Sequence, residues 1–148
     1  MSKIISYKGK LAMGQQDEIN CKTNNGKTGY KINKFQIIST APGSNDAETV
    51  LKIYSKSQEG AVSAVVDFTE SDLLAVAYYK DGAGANQDGD VVIIFDNEPF
   101  NQNIFVTAED GSGATVPFSY YIELETMALS DIESTKLTLQ SIRTILSR

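Results

Sequence analysis

Residues that could carry out catalysis are few in this chain, and their types exclude most familiar mechanisms. The sequence has no histidine, so it holds no Ser-His-Asp or Cys-His arrangement, no histidine-bearing zinc site and no imidazole general base. A Ser-Lys pair or a pair of carboxylates stays open in principle, but no spacing singles one out. There is no GxxxxGK[ST] phosphate-binding loop, and Gly82-x-Gly84 is too short for a dinucleotide-binding fingerprint. We therefore predict a protein that is not an enzyme and has no cofactor.

Oxygen-bearing side chains gather in one glycine-rich stretch, residues 81–90. Asp81, Asn86, Asp88 and Asp90 could present oxygen ligands to a hard cation such as calcium. Their spacing is not that of an EF-hand, however, and Asp-Gly pairs are what hairpin loops use for ordinary turns. The turn interpretation is favoured, and Asp81, Asp88 and Asp90 are the candidate metal ligands if it fails.

Two tyrosine doublets could form a binding surface, Tyr78-Tyr79 and Tyr120-Tyr121. Successive side chains of a strand point to opposite faces, so one ring of each doublet must point outward. An outward tyrosine can stack on a sugar or line a protein interface. Pairing between neighbouring strands explains such residues equally simply and is favoured. Tyr121 is the outward ring that we retain as an interface candidate.

Composition and charge indicate one globular domain without a polyanionic partner. The chain has 148 residues, of which 41% are hydrophobic and 22% charged, and its 19 acidic and 13 basic residues give a net charge of -6. Binding of nucleic acid requires clustered cations. The cations here are scattered, and their one loose group is Lys22, Lys27, Lys31 and Lys34. We read that group as a solvated face and predict no nucleic-acid partner.

Cysteine usage and hydropathy bear on the compartment. Cys21 is the single cysteine, so no internal disulfide is expected, which fits a reducing compartment or assembly inside a cell. Without histidine as a partner, this thiol is expected to be structural. The opening residues MSKIISYKGK lack an apolar run of signal-peptide length, and no segment approaches the length of a membrane span. A soluble protein with no membrane partner is predicted.

Alternating apolar and polar residues, separated by turn signals about every ten residues, predict a mainly β protein. The expected fold is an antiparallel β-sandwich, jelly-roll-like, with about seven or eight strands and a C-terminal helix. Residues 1–29 are expected to form an N-terminal arm and irregular segment, 30–129 the sandwich and 130–148 the helix. Residues 4–7 are either a first strand or part of the arm. The remaining strands are expected over residues 30–40, 49–56, 61–68, 73–79, 91–95, 103–108 and 118–125, with one short strand near 19–21.

Residues 103–125 show the clearest strand pattern. Phe118, Tyr120, Ile122 and Leu124 alternate with polar residues and Tyr121, which predicts a strand with one apolar face. The preceding run 103–108 and the turn residues 109–113 complete a predicted hairpin, with Asp and Gly supplying positive φ angles. The run 91–95 is apolar throughout and is expected to be a central strand.

The C-terminal helix is predicted to begin at Ser130. Ser130 and Glu133 have the spacing of a capping box, in which each side chain bonds the backbone of the other residue. One stripe of the helix carries Ile132, Thr135, Leu139, Ile142 and Leu146, with Ile145 beside it. The favoured interpretation is that this stripe packs on the sandwich. The alternative is that the helix docks on a neighbouring subunit, with Leu137 and Ile145 off the centre of the stripe.

The octapeptide FSYYIELE at residues 118–125, followed by a helix with an acidic start, resembles small structural proteins of tailed bacteriophages, especially marine and cyanobacterial ones. The resemblance implies a β-sandwich, no catalytic residues, and a virion component assembled in the host cytoplasm. It implies most directly a capsid decoration (cement) protein, with a neck or tail protein as the alternative. The implied partners are the major capsid protein or neighbouring virion subunits, and a homo-oligomer is expected. Interface candidates are Ile4, Ile5, Tyr7, Tyr121, Leu137 and Ile145. A sandwich module that binds glycan or calcium is the competing hypothesis.

Overall fold

The protein is a β-sandwich with a C-terminal helix, as the sequence predicts. The computed structural model describes residues 3–23, 26–42, 47–81 and 90–146, except for the side chains of 81, 90 and 143–146. Its elements are β1 (Ile4–Leu11), β2 (Gln16–Ile19), β3 (Thr28–Ser39), β4 (Ala47–Tyr54), β5 (Leu73–Asp81), β6 (Asp90–Phe95), β7 (Ile104–Asp110), β8 (Phe118–Ala128) and α1 (Asp131–Leu146). The strands form a three-stranded sheet in the order β1-β8-β3 and a five-stranded sheet in the order β2-β7-β4-β5-β6. All pairings are antiparallel.

The core lies between the two sheets, and β8 supplies its centre. In register, Ile122 lies opposite Tyr7 on β1 and Phe35 on β3, so three strands contribute to one layer. The five-stranded sheet faces them with a set of fully buried residues: Leu51, Ile53, Ala77, Ile104, Val106 and Ala108. Burial of each large side chain of this kind contributes roughly 1.5–3 kcal/mol. A hydrogen bond of 2.9 Å from the Tyr120 hydroxyl to Asp17 also joins β8 to β2 across the two sheets.

The predicted hairpin at residues 103–125 is wrong in its pairing, although both strands exist. β7 pairs with β2 and β4, whereas β8 pairs with β1 and β3. The segment between them therefore crosses from one sheet to the other. Asp110 organises this crossing: its carboxylate accepts hydrogen bonds from Glu48 N and Thr49 Oγ1 on β4, and from residues 112 and 114. Asp was expected to supply a positive φ here, but among described residues only glycines have one, and Gly113 has a φ of 86°. Asp110 acts as a hydrogen-bond acceptor instead.

Three further expectations about strands are corrected. The arm and irregular segment predicted for residues 1–29 contain all of β1 and β2, and residues 4–7 belong to β1 and not to a free arm. Residues 61–68 form no strand. The apolar run 91–95 lies at the edge of its sheet, as β6, and not at its centre. In each case the alternation of apolar and polar residues does not specify which strand, if any, pairs with the segment.

Residues 61–68 instead lie over the outer face of the five-stranded sheet. The Lys52 side chain on β4 is buried and donates a hydrogen bond from Nζ to the Val65 carbonyl oxygen. Burial lowers the pKa of this amine, and the nearby Glu70 carboxylate opposes that shift. Val50, Tyr54 and neighbouring residues form a second, smaller apolar cluster on this face. Lys52 therefore ties the covering segment to β4.

Candidate protein-interaction surfaces

Helix α1 begins at the predicted cap. Ser130 N donates to Glu133 Oε1 and Glu133 N donates to Ser130 Oγ, both at 3.2 Å, which is the reciprocal capping box. Lys27 forms an ion pair with Asp131 in the first turn, at 2.9 Å. A negative side chain at this end is also favoured by the helix dipole. The start of α1 is thus fixed by local side chains.

Apart from Leu137, the face of α1 that contacts the sandwich is polar. Ser134 is buried and its hydroxyl donates to Gly26 O at 2.9 Å. Asn101, which is 1% exposed, donates from Nδ2 to Gly26 O at 3.0 Å and to Thr138 Oγ1 at 3.1 Å. Gln140 donates to Glu98 at 2.8 Å. Because buried amides and hydroxyls must find partners, this network orients the helix on the body.

The apolar stripe of α1 consequently points away from the body. Ile132 is 82% exposed, Leu139 51% and Ile142 46%. Thr135 on the same line is exposed too, and its hydroxyl donates to the Asp131 carbonyl. The favoured prediction that this stripe packs on the sandwich is therefore wrong. We call Ile132, Thr135, Leu139 and Ile142 the α1 stripe.

A second apolar surface lies on β6. In register, Val92 lies opposite Tyr78 and Ile94 opposite Val76 on β5, so all four share the outer face of the five-stranded sheet. Val76 and Tyr78 belong to the smaller apolar cluster, which Val92 and Ile94 extend to the edge of the sheet. Val91, Val92 and Ile94 are each about half exposed. No other described strand pairs with the outer side of β6, so alternate backbone N–H and C=O groups face outward there. We call this surface the β6 edge.

The other three edge strands carry features that discourage strand addition. β2 has only 4 residues. β1 carries Lys8 and Lys10, and β3 has a bulge between Ile32 and Lys34. Short length, lysines and bulges are common means of blocking an edge. β6 has no lysine, proline or bulge over its described length, so it is the unprotected edge among the described strands.

The predicted interface candidates near the N-terminus divide between the two faces of β1. Ile4 is on the outer face and 58% exposed, whereas Ile5 and Tyr7 are half-buried and pack against the core. Burial raises the pKa of the Tyr7 phenol, with a smaller contribution from Cys21. Much of the apolar area of Ile5 and Tyr7 is thus already used within the chain.

Tyr121 is on the outer face of the three-stranded sheet, opposite Lys8 and Gln36. It is half-buried, and its hydroxyl donates to Glu123 at 2.7 Å. That hydrogen bond raises the pKa of the tyrosine and lowers the pKa of the carboxylate. A shallow depression of about 690 Å³ lies beside the ring, lined by Lys8, Lys10 and Ile38 among others. The role of Tyr121 at an interface stays a prediction.

The remaining sequence candidates are Leu137, Ile145 and the other tyrosine doublet. Leu137 is half-buried beside a cavity of about 40 Å³ under α1, and the side chain of Ile145 is outside the described part of the chain. Of the other tyrosine doublet, Tyr79 points inward and meets Phe118 edge-on, with ring centroids 5.2 Å apart. Its neighbour Tyr78 packs on the outer face of the sheet. This arrangement agrees with one ring of the doublet pointing to each side.

Cys21 is a buried thiol. It is 4% exposed, its Sγ donates to the Gln102 carbonyl at 3.2 Å, and its backbone N–H donates to Asn103 Oδ1 at 3.1 Å. Burial raises the pKa of the thiol to about 12. A thiol in this state is a weak nucleophile.

The metal candidates fall outside what the structure describes: residue 88 is not described, and neither are the side chains of Asp81 and Asp90. Within the described residues no group of three Cys, Asp or Glu side chains is arranged to hold a metal ion. No helix in the described ranges combines the length and hydropathy needed to cross a bilayer.

Both apolar surfaces were poorly indicated by the sequence. The α1 stripe was identified correctly as a stripe, but its direction depends on Asn101, which is distant in sequence. For β6, the signal was present: a run of five apolar residues is followed by Asp96 and preceded by a glycine-rich stretch. Such a run does not distinguish a central strand from an unprotected edge.

Comparisons with known proteins add little. No protein-family model matches this chain, and no curated protein matches it either. Among solved structures, a chain from Bacillus endospore appendages, described as disulfide-linked pili, is 9% identical with a TM-score of 0.34, covering 88% of this chain and 92% of that one. A chain from maize chlorotic mottle virus is 5% identical with a TM-score of 0.33, covering 88% of this chain and 93% of that one. At these TM-scores neither likeness carries an argument about function.

Proposed function

We propose that this chain is a non-enzymatic structural protein that works by binding other protein subunits. From the resemblance at residues 118–125 we further propose a virion protein of the capsid decoration (cement) type, which binds the assembled capsid and stabilises it. The observation that carries the proposal is the β6 edge, a strand with apolar side chains on both faces and an open backbone edge. A neck or tail position is the alternative within the same class.

An edge of this kind is suited to accept an extended segment of another protein. The incoming strand forms main-chain hydrogen bonds with the outward N–H and C=O groups, and its side chains contact the apolar residues on each face. Val92 and Ile94 would contact it on the outer face, and Val91 on the inner face. If the unpaired backbone groups and apolar side chains of β6 stay exposed to water, they lower solubility and promote aggregation. A permanent protein partner removes that cost.

The partner that fits is an extended segment of a capsid subunit, presented many times on the assembled lattice. Binding through β-strand addition requires a strand edge on one partner and free backbone on the other. Glycan recognition would need an exposed aromatic platform, but the Tyr79 ring packs edge-on against Phe118 and Tyr121 is half-buried. The apolar character of the β6 edge favours protein over sugar.

The test uses capsids of the virus that encodes this sequence, prepared with the gene for this chain deleted. The purified chain should sediment with these capsids to saturation and raise the temperature at which they disassemble. The double variant V92K/I94K places two cations on the β6 edge and should weaken binding at least roughly tenfold, since a buried unpaired charge is costly.

The matched control is Ile38→Lys, which changes a residue that is 55% exposed on the other sheet. It should bind as the unmodified chain does, and both variants should keep the melting temperature of the free chain. Absence of binding by the unmodified chain would contradict the proposal. Unaltered binding by V92K/I94K would show that the β6 edge is not the contact.

A further inference from the structure

We propose that the α1 stripe is a self-association surface, on which α1 of a second copy of this chain packs in parallel orientation. This inference does not depend on a capsid partner, because it concerns a different surface and a different occupant. Its success or failure leaves the proposed contact of the β6 edge untouched.

The spacing of the stripe is that of a coiled-coil seam. Positions 132, 135, 139, 142 and 146 follow steps of three and four residues and hold Ile, Thr, Leu, Ile and Leu. These are a and d positions of consecutive heptads, with a mean step of 3.5 residues. A helix that packs on its own globular core usually shows a wider apolar face. The narrow seam is complementary to another helix with the same repeat.

No described segment of this chain covers the seam, since Ile132, Leu139 and Ile142 are exposed. The body contacts the opposite side of α1, through Ser134, Thr138 and the Asn101 network. The network also holds the seam outward, so a partner helix can dock without reorganising the sandwich. The occupant that we propose is α1 of a second copy, which carries the same seam.

The charges beside the seam favour a second copy in parallel orientation. With Ile132 at position a, Asp131 occupies g, and Lys136 and Arg143 occupy e. In a parallel pair the g residue of one helix faces the e residue of the next heptad in the other, which brings Asp131 against Lys136 of the second copy. In an antiparallel pair e residues face e residues, so cations would meet cations. Asp131 is 84% exposed in its ion pair with Lys27, so its carboxylate can accept a second cation.

The first experiment measures mass by sedimentation equilibrium of the full chain, from roughly 1 µM to 1 mM, where a short interface of this kind should dissociate. The unmodified chain should form a concentration-dependent oligomer. Leu139→Lys, at the centre of the seam, should raise the dissociation constant at least tenfold, while Val92→Lys on the β6 edge should leave it unchanged. A chain that stays monomeric throughout overturns the proposal, as does an oligomer lost in Val92→Lys and kept in Leu139→Lys.

The second experiment tests orientation by disulfide trapping. Ile132→Cys and Ile142→Cys are each treated with copper phenanthroline, and Cys21 is too buried to take part. In a parallel pair both variants bring the new cysteine against its own copy, so both should cross-link. In an antiparallel pair only a position at the centre of the contact can do so. Residues ten apart are separated by about 15 Å along the helix, so cross-linking of only one variant overturns the parallel arrangement.

Charge reversal gives an independent check with opposite signs. Lys136→Glu should weaken association by placing Glu against Asp131, and the double variant D131K/K136E should restore it. In an antiparallel pair Lys136→Glu would instead strengthen association through Arg143. Melting temperature and amide exchange within α1 confirm that each variant keeps its fold. Stronger association in Lys136→Glu with an intact α1 overturns the parallel arrangement.

Discussion

Strand β8 and helix α1 follow each other in the chain, and both have a strong apolar periodicity, but they use it in opposite ways. Phe118, Ile122 and Leu124 on β8 are fully buried, whereas Ile132, Leu139 and Ile142 on α1 are largely exposed. In both cases the spacing of the apolar residues predicted the type of secondary structure and which of its faces is apolar. What lies against that face depended on residues elsewhere in the chain. An amphipathic pattern therefore predicts a surface and not its partner.

The difference arises from how each element is held. β8 has a strand on each side and a second sheet against its inner face, so burying its apolar face is part of forming the sheet. α1 has no strand neighbour and is oriented by hydrogen bonds from Asn101 and Ser134. Buried polar groups left without partners cost about 1–3 kcal/mol each. With α1 in this orientation, Asn101 and Ser134 have their partners, and the apolar stripe is left on the outer side of the helix.

The largest effect on the free energy of unfolding is expected when a core side chain of β8 is shortened. Ile122→Ala removes a fully buried side chain and should lower the free energy of unfolding by about 2–5 kcal/mol, because it leaves a cavity. Urea denaturation measures the change. Ile142→Ala on α1 is the matched control with the same chemical change. Similar losses in the two variants would contradict the comparison.

The next effect concerns the crossing that precedes β8. Asp110→Asn should cost about 1–3 kcal/mol at neutral pH, because hydrogen bonds to a buried carboxylate are lost or weakened. Burial raises the pKa of Asp110, but hydrogen bonds from Ser112, Thr49 and Ala114 outweigh it and hold the pKa below the ordinary value of 3.8.

A depressed pKa means that the stabilisation is present above the unfolded-state value and is lost as pH falls toward the folded-state value. The difference in unfolding free energy between the unmodified chain and Asp110→Asn should therefore be constant near neutral pH. It should shrink as the pH falls below about 4. A difference that grows on acidification would show that the carboxylate is not stabilised as described.

A smaller and local effect is expected at the start of α1. Ser130→Ala removes the capping hydroxyl and should cost about 1 kcal/mol of helix stability. Amide hydrogen exchange should accelerate in the first turns of α1 while the core amides of β8 are unchanged. Ser130→Asp keeps a capping oxygen and serves as the control. Equal acceleration in β8 would mean that helix and sheet unfold together.

The smallest effect is expected on the α1 stripe itself. Leu139→Ala, measured at concentrations that keep the chain monomeric, should change the free energy of unfolding by less than about 0.5 kcal/mol, since exposed side chains contribute little. Thermal denaturation at low concentration checks this. A loss of the size expected for Ile122→Ala would place Leu139 in the core and would remove the basis for self-association.

Much of the fold could be predicted from the sequence, because many of its features depend on residues that are close together in the chain. The alternation in β8, the capping box at Ser130 and Glu133, and the fold class all depend on residues near one another in the chain, and the structure has them as predicted. Pairing was not accessible: residues 103–108 and 118–125 look like a hairpin, but their partners are β2, β4, β1 and β3. Nothing in an alternating pattern encodes the identity of the neighbouring strand.

The candidate surfaces were accessible only in part. Ile5 and Tyr7 were proposed for an interface because they lie near the N-terminus, and the register with β8 places them inward. Val92 and Ile94 were assigned to the interior because an apolar run usually belongs there. The edge position of β6 depends on the order of five strands, which no segment of the sequence specifies alone.

The position of β8 also has a consequence for how the chain acquires its fold. β8 is the last of the described strands in sequence but the middle one of its sheet, and β1 and β3 do not pair with each other. During synthesis, β1 and β3 must therefore wait, with their edges unsatisfied, until residues 118–128 have left the ribosome. Such pairing between distant segments is typical of domains that fold in milliseconds to seconds. The three-stranded sheet is thus completed after translation of β8, and a ribosome stalled before β8 would expose strand edges that the finished protein conceals.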